Sequence, residues 1–182
     1  MPALGGAIAL TMHGFARATR DVAINVFTTP EQLPAVLDVL GSTGLTFERA
    51  TVVGEAAAEG WFTAWHGAVR VDVFVPSIDF SWEAYRSRVK RAFLGEQLWF
   101  LSAEALCVFK LLFFRTKDLA DLERLVLTSR ELEHSVVRAT IARLMGRSLA
   151  SRAARSATSD WRSSRPERPT WRCGSTHSSA QR

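Results

Sequence analysis

Residues 5–26 form the stretch GGAIALTMHGFARATRDVAINV, and its pattern indicates the fold class. Small and apolar residues over 4–12 predict a short helix, which the turn at His13-Gly14 closes. Residues 21–27 alternate polar and β-branched side chains, which predicts a strand. The glycines at 5 and 6 lie where loop meets helix, so they either admit a phosphate close to the backbone or simply form a turn.

The residues that follow continue this alternation of helix and strand. An apolar stripe with a period of 3.6 residues predicts a helix over 30–41, with Pro30 in its first turn. Residues 61–65 and 69–75 predict the two strands of a hairpin that turns at His66-Gly67.

The second half of the sequence is mainly helical in pattern. Residues 81–93 predict an amphipathic helix with a basic face, and 98–101 predict a short strand. Ser102 is a suitable N-cap for a helix over 103–115, and two further helices are predicted at about 118–127 and 130–145. The basic face consists of Arg86, Arg88, Lys90 and Arg91.

The composition is that of a globular protein rather than a secreted or membrane-spanning one. Hydrophobic residues make up 47% of the 182 residues, and the two cysteines, Cys107 and Cys173, exclude a disulfide scaffold and a cysteine-based zinc site. No apolar run of about 18 residues exists, so we expect no membrane span. The N-terminal residues lack a basic secretory region, and we expect a cytoplasmic protein.

The net charge of +5 comes entirely from the last 32 residues. Residues 151–182 contain seven arginines against Asp160 and Glu167, and they lack Leu, Ile, Val and Phe. Such a segment buries too little apolar surface to fold, so we predict a disordered tail. It is either an arginine-rich arm that holds RNA or a dispensable extension.

Asp72 is a candidate site residue in the second strand of the hairpin. Val71 and Val73 point to one face of that strand, so Asp72 points to the other. If that face is solvent-exposed, Asp72 is an ordinary surface carboxylate. If it faces a cleft, Asp72 is a candidate metal ligand.

Lys110 is the only charged residue between Ala105 and Phe114, in a helix that is otherwise apolar. An ammonium group in such a helix either pairs with a carboxylate or points into a polar cavity, where it can reach anionic ligand oxygens. Asp118 and Asp121 follow at helical spacing i and i+3, so they share one helix face.

Taken in order, these pieces resemble the bacterial nucleotidyltransferase-like proteins related to abortive-infection toxins, the AbiEii-like and MenT-like proteins. Three segments, which lie within residues 4–127, carry the resemblance. They are GGAIALTMHGFARATRDVAINV at 5–26, RVDVFV at 70–75 and LSAEALCVFKLLFFRTKDLADLERL at 101–125.

The resemblance implies a nucleotidyltransferase-like α/β fold, a small mixed sheet flanked by helices. It implies an α/β core over 1–101 and a helical part packed on it over 102–150, after which comes the tail that the composition predicts over 151–182. It also implies Mg²⁺ or Mn²⁺ as cofactor, a nucleoside triphosphate as substrate, and a tRNA or a cognate partner protein as a further partner.

The resemblance further assigns roles to individual residues, three of them catalytic: Asp21, Asp72 and Lys110. The metal ligands are Asp21 and Asp72. The predicted nucleotide-binding residues are Gly5, Gly6, Arg17, Thr19, Lys110 and Arg115. The supporting residues are Lys117, Asp118 and Asp121.

The chain departs from the implied pattern at position 23. Active relatives carry two carboxylates two residues apart on the first strand, where this chain has Asp21 and Ala23. A methyl group cannot ligate a metal ion, and the amide of Asn25 is a poor substitute for a carboxylate.

Three functions follow from the sequence. The first is transfer of a nucleoside monophosphate to an RNA or protein hydroxyl, with catalysis impaired by Ala23. The second is a nucleotide-binding pseudoenzyme that acts as one partner of a toxin–antitoxin-type pair. The third is an RNA-binding accessory protein that uses the tail and the basic face.

Overall fold

The computed structural model describes residues 2–144 and residue 146. The predicted disordered tail at 151–182 lies outside these residues. Within the described part, six strands form one mixed sheet in the order β3-β4-β2-β1-β6-β5. The strands are β1 (Ala3–Leu4), β2 (Asp21–Asn25), β3 (Trp61–His66), β4 (Val69–Phe74), β5 (Val89–Phe93) and β6 (Glu96–Phe100).

Helices connect and cover these strands. They are α1 (Gly6–Met12), α2 (Leu33–Ser42), α3 (Arg49–Glu59), α4 (Phe80–Arg86), α5 (Ala103–Phe113), α6 (Thr116–Thr128) and α7 (134–144), with a 3₁₀ turn at Pro30–Gln32 before α2. The predicted Ser102 cap is present, because its hydroxyl accepts a hydrogen bond from the Ala105 N–H at 3.2 Å.

The pairing of β2 with β4 positions the site. These strands are parallel and in register, so that Ala23 lies opposite Asp72 and Asp21 lies opposite Arg70. Their other face carries Val22 and Ile24, and it packs on the core described next. Because side chains alternate along a strand, the polar residues of both strands point to the same side of the sheet.

Two apolar clusters stabilise the two halves of the sheet. One lies between α2, α3 and the strands β2 to β4, with Phe62 and Val73 at its centre. The other joins α1, α4, α5, α6 and α7 to β1 and β6, with Phe100 and Leu125 fully buried. Burying a large apolar side chain of this kind contributes about 1.5–3 kcal/mol to folding.

The structure confirms the mixed α/β class and the hairpin of β3 and β4. The helix predicted over 81–93 is wrong in its second half, because the chain leaves α4 after Arg86 and forms β5. Leu94 and Gly95 both adopt positive φ, at 52° and 86°, which gives the tight turn that pairs β5 with β6. The basic face therefore does not exist as one helix surface, since Lys90 and Arg91 lie on β5.

The sequence analysis did not predict α3, an alanine-rich helix that packs on the sheet through Val52 and Ala56. None of the helices in the described part of the chain is long and apolar enough to cross a membrane.

Candidate functional site

A cleft of about 340 Å³ opens on the polar face of β2 and β4, beside α5 and the start of α6. We call the strand residues on this face the cleft floor: Asp21, Ala23, Asn25 and Asp72. We call the charged group beside them the cationic wall: Arg17, Lys110, Arg115 and Lys117, with the carboxylates of Asp118 and Asp121.

Asp21 lies at the start of β2, where one neighbour already bonds to its carboxylate. The Thr19 hydroxyl donates a hydrogen bond to Asp21 Oδ1. This hydrogen bond lowers the pKa of Asp21 against the effect of burial, and the charges of Lys117 and Arg17 lower it further. Asp21 is therefore ionised at neutral pH in a positively charged setting.

Asp72 lies on β4 with its side chain 17% exposed. Arg70 Nε donates a hydrogen bond to Asp72 Oδ1 at 2.8 Å, in an ion pair two residues apart on one strand. Both floor carboxylates thus have partners within the protein.

Ala23 lies between these carboxylates, against the paired glycines. The Gly5 N–H donates to the Ala23 carbonyl oxygen at 2.9 Å. Gly6 has φ +55°, and a Cβ added to it would lie 2.9 Å from Ala23 Cβ. A Cβ on Gly5 would lie 2.7 Å from Asn25 Nδ2. Both glycines therefore permit a close approach of this turn to the cleft floor, which a side chain would prevent.

Lys110 is the centre of the cationic wall, and it is buried. Its Nζ donates to Asp121 Oδ2 at 2.6 Å and to Asp118 Oδ1 at 3.3 Å. Of the two alternatives for this residue, the structure shows pairing with buried carboxylates. The predicted contact of Lys110 with phosphate stays a prediction.

Two arginines complete this network from outside. Arg17 Nε lies 2.9 Å from Asp121 Oδ1, and Arg115 Nε donates to Asp118 Oδ2 at 2.7 Å. Three cations thus share two carboxylates, which leaves one positive charge in the network. Arg115 also lies at the start of α6, where its backbone N–H donates to Asp118 in a capping box.

The charge of Asp118 is stabilised by these partners. Burial alone would raise the pKa of Asp118, but the hydrogen bond from Arg115 and the charge of Lys110 outweigh it. The pKa of this carboxyl is therefore below its ordinary value. The wall therefore keeps Asp118 ionised, although this carboxyl is buried.

The metal that the resemblance implies can be tested against the donor set of the cleft. Among residues 2–144 and 146, no group of three or more histidine, cysteine, aspartate or glutamate side chains is placed to hold a metal ion. A two-ion site needs several shared carboxylates, whereas the floor has Asp21, Asp72 and a methyl group between them. The residues present do not fit that arrangement.

The other side of the cleft is apolar and was missed by the sequence analysis. Aromatic rings line it, and they come from Phe27, Phe74, Phe109 and Phe113. The alternation along β4 contained a signal for one of them, because Phe74 shares the face of Asp72. Phe109 and Phe113 lie one turn apart on α5, and Phe27 follows β2, so only the packing of α5 on the sheet brings the four rings together.

A second, open hollow of about 610 Å³ adjoins the cleft. Arg17 and Asp21 line both spaces, and the hollow adds Arg20, Arg70 and Trp65. The cleft thus continues outward along a surface that carries three arginines.

The structure brings most of the predicted site residues together. The lining of the cleft includes Gly6, Arg17, Asp21, Asp72, Lys110, Arg115, Lys117 and Asp118. Three others do not line it but contact residues that do: Gly5 bonds to Ala23, Thr19 to Asp21, and Asp121 to Lys110. Their roles in binding or catalysis stay predictions.

Comparison with known proteins gives a likeness in structure only. No protein-family model and no curated protein matches this sequence. A crystal structure of ANT(2")-Ia in complex with adenylyl-2"-tobramycin is similar, with a TM-score of 0.50 and 14% identity over 88% of each chain. A solution structure of the antibiotic-resistance factor ANT(2")-Ia is similar, with a TM-score of 0.53 and 16% identity over 88% of each chain. This chain has a nucleotidyltransferase-like fold.

Proposed function

We propose that this protein binds a nucleoside triphosphate in the cleft and is a nucleotidyltransferase-like protein with impaired transfer of the nucleoside monophosphate. The observation that carries the proposal is the convergence of Asp21, Asp72 and Lys110 on one cleft. The cationic wall suits a polyphosphate, and the two carboxylates on adjacent strands can accept hydrogen bonds from a reacting hydroxyl.

In this proposal the two sides of the cleft hold different parts of the nucleotide. Arg17 and Arg115 contact phosphate oxygens from the wall, because a planar guanidinium can donate two parallel hydrogen bonds to two oxygens of one phosphate. Lys110 fixes the carboxylates that orient both arginines. Gly6 allows close approach of the phosphates to the backbone, and the aromatic side accepts the base.

The acceptor that we propose is a hydroxyl group of an RNA or of a partner protein. ANT(2")-Ia is described with an adenylylated aminoglycoside, and its fold supports nucleotide transfer as the general chemistry. The order of the three motifs within residues 4–127 favours a protein similar to the AbiEii-like and MenT-like nucleotidyltransferases. The loss of a carboxylate at Ala23 makes the transfer slow.

The first experiment measures transfer from each of the four radiolabelled ribonucleoside triphosphates to RNA and to protein acceptors, for the natural chain and for Ala23→Asp. We expect Ala23→Asp with magnesium to increase the transfer rate at least about tenfold, because even an outer-shell partner of a metal site is worth roughly 10–100-fold. The matched control is Ala23→Asn, which has similar volume but no charge.

Equal rates for Ala23→Asp and Ala23→Asn would contradict the assignment of position 23. Absence of triphosphate binding to the natural chain, measured by equilibrium dialysis, would contradict the proposed function itself.

A second candidate function is the nucleotide-binding pseudoenzyme of a toxin–antitoxin-type pair. It is favoured by the pairing of both floor carboxylates with Thr19 and Arg70, and by the methyl group between them. Asp72→Asn separates the two candidates in a growth assay of cells that express the protein. An unchanged effect on growth supports the pseudoenzyme, and loss of the effect supports catalysis.

A further inference from the structure

The floor and the wall together leave little attraction for a divalent ion. Each floor carboxylate already has an internal partner, Thr19 for Asp21 and Arg70 for Asp72. Lys117 and Arg17 act electrostatically on Asp21 as well. A divalent ion placed there would be repelled by these cations, and Ala23 contributes no compensating charge.

The same residues attract a phosphate chain. Four cationic side chains line the cleft: Arg17, Lys110, Arg115 and Lys117. The side chains of Arg17 and Arg115 are 33% and 52% exposed, so their guanidinium groups reach solvent while each also contacts a buried carboxylate. Because Lys110 and these arginines outnumber Asp118 and Asp121, the wall stays positive, and Lys117 adds to that charge.

The negative charges of the cleft do not cancel this attraction at the wall. Asp72 is neutralised by Arg70, whose Nε lies 2.8 Å from Asp72 Oδ1. The positive charge of Lys117 acts electrostatically on Asp21. Glu59, the remaining carboxylate of the cleft lining, lies exposed at the end of α3. The phosphate groups are therefore attracted to the positive charge of the cationic wall.

We infer that the cleft binds its nucleoside polyphosphate as the metal-free anion, with Arg17, Arg115 and Lys117 supplying the positive charge that a divalent ion supplies elsewhere. This inference rests on the proposed function. According to this inference, nucleotide binding does not require the metal that the resemblance implies. The residue at position 23 then determines whether nucleotide binding depends on a metal ion.

The experiment measures the affinity of radiolabelled ATP for the full chain by equilibrium dialysis, once with magnesium chloride and once with EDTA. We expect dissociation constants that agree within about twofold, since the protein's own cations hold the phosphates. Ala23→Asp adds a third carboxylate, and we expect its affinity to fall at least about tenfold when EDTA replaces magnesium.

A matched pair of lysine variants tests the binding surface in EDTA. Lys117→Ala is expected to weaken ATP binding about tenfold, because it removes a charged partner of the phosphates. Lys90→Ala removes another exposed lysine, which lies on β5 outside the cleft, and is expected to leave the affinity unchanged. Equal effects of the two substitutions would overturn the inference.

Binding of Mn²⁺ without nucleotide gives a second readout, by electron paramagnetic resonance. We expect Ala23→Asp to bind Mn²⁺ more tightly than the natural chain, and equal affinities would overturn the role given to position 23. ATP binding by the natural chain only with magnesium would overturn the inference and leave the proposed function standing. Absence of ATP binding in both conditions would overturn the proposed function.

Discussion

The cleft floor and the cationic wall face the same space, but they are built in opposite ways. The floor is made by two parallel strands. The side chain of Asp72 is 17% exposed, and Asp21 is half-buried. The wall is made by α5, α6 and Arg17, and its two carboxylates on α6 are almost fully buried and held by three cations. The wall is a complete network, and the floor lacks the carboxylate that the resemblance implies at position 23.

This difference separates what the fold needs from what transfer chemistry needs. A buried carboxylate without its cation is costly, so the wall residues contribute to folding whether or not a reaction takes place. The floor carboxylates are partly solvated, and the pairing of β2 with β4 is complete with a methyl group at position 23. The fold can therefore form whether or not the proposed transfer takes place.

The largest expected effect is on the wall. Lys110→Met leaves Asp118 and Asp121 buried with one cation fewer, and we expect the free energy of unfolding to fall by about 3–5 kcal/mol. Urea denaturation measures it. The control, Lys117→Met, removes an exposed lysine and is expected to change stability by less than about 0.5 kcal/mol. Equal losses of unfolding free energy in the two variants would contradict the statement that the buried network stabilises the fold more than an exposed lysine does.

A smaller effect is expected at the turn that touches the floor. Gly6 and Gly67 have similar backbone angles, at φ +55° and +58°, but only Gly6 has a neighbour in the way of a Cβ. Gly67→Ala is expected to cost about 1 kcal/mol from the left-handed backbone alone. Gly6→Ala is expected to cost about 1–3 kcal/mol more, because its Cβ would press on Ala23.

A double-mutant cycle in urea sharpens this second prediction. Ala23→Gly removes the methyl group that Gly6→Ala would meet, so the double variant recovers part of the loss. Additive losses would show that the turn is not in contact with the floor in solution.

The smallest expected effect is on acid stability. The pKa values of Asp21 and Asp118 are both lowered from 3.8, so the unfolded chain takes up protons at higher pH than the folded protein does. Their stabilising contribution is complete above pH 3.8 and is lost as the pH falls through the lowered values.

The matched variants Asp21→Asn and Asp118→Asn measure this contribution, through the unfolding free energy between about pH 6 and about pH 3. Each is expected to lose less stability over that interval than the natural chain loses. A parallel pH dependence for all three proteins would contradict both pKa directions.

Much of the fold could be predicted because local signals and long-range packing agree. The valines at 69, 71 and 73 alternate as a half-buried strand requires, and Ser102 marks the start of α5. The error over 81–93 arose because the charged residues there fit both a helix face and an exposed strand. The deciding residue was Leu94, whose positive φ belongs to a turn that is usually formed by Asn or Gly.

The site was only partly accessible from the sequence. The i, i+3 spacing put Asp118 and Asp121 on one face, and the apolar surroundings of Lys110 required a partner. Their meeting depends on the angle between α5 and α6, which is set at Phe114 with φ +50°. A further cation of the network, Arg17, reaches Asp121 across the fold, and no local pattern encodes such a contact.

The two-residue strand β1 has a consequence for the order in which the sheet is completed. Leu4 pairs with Ile24 on one side and with Phe100 on the other, so β1 joins both halves of the sheet. On the ribosome, the first partner emerges early and the second only after most of the domain has been synthesised. Until then, a hydrogen-bonding edge in the middle of the future sheet stays open, and a chaperone or a neighbouring nascent chain can occupy it.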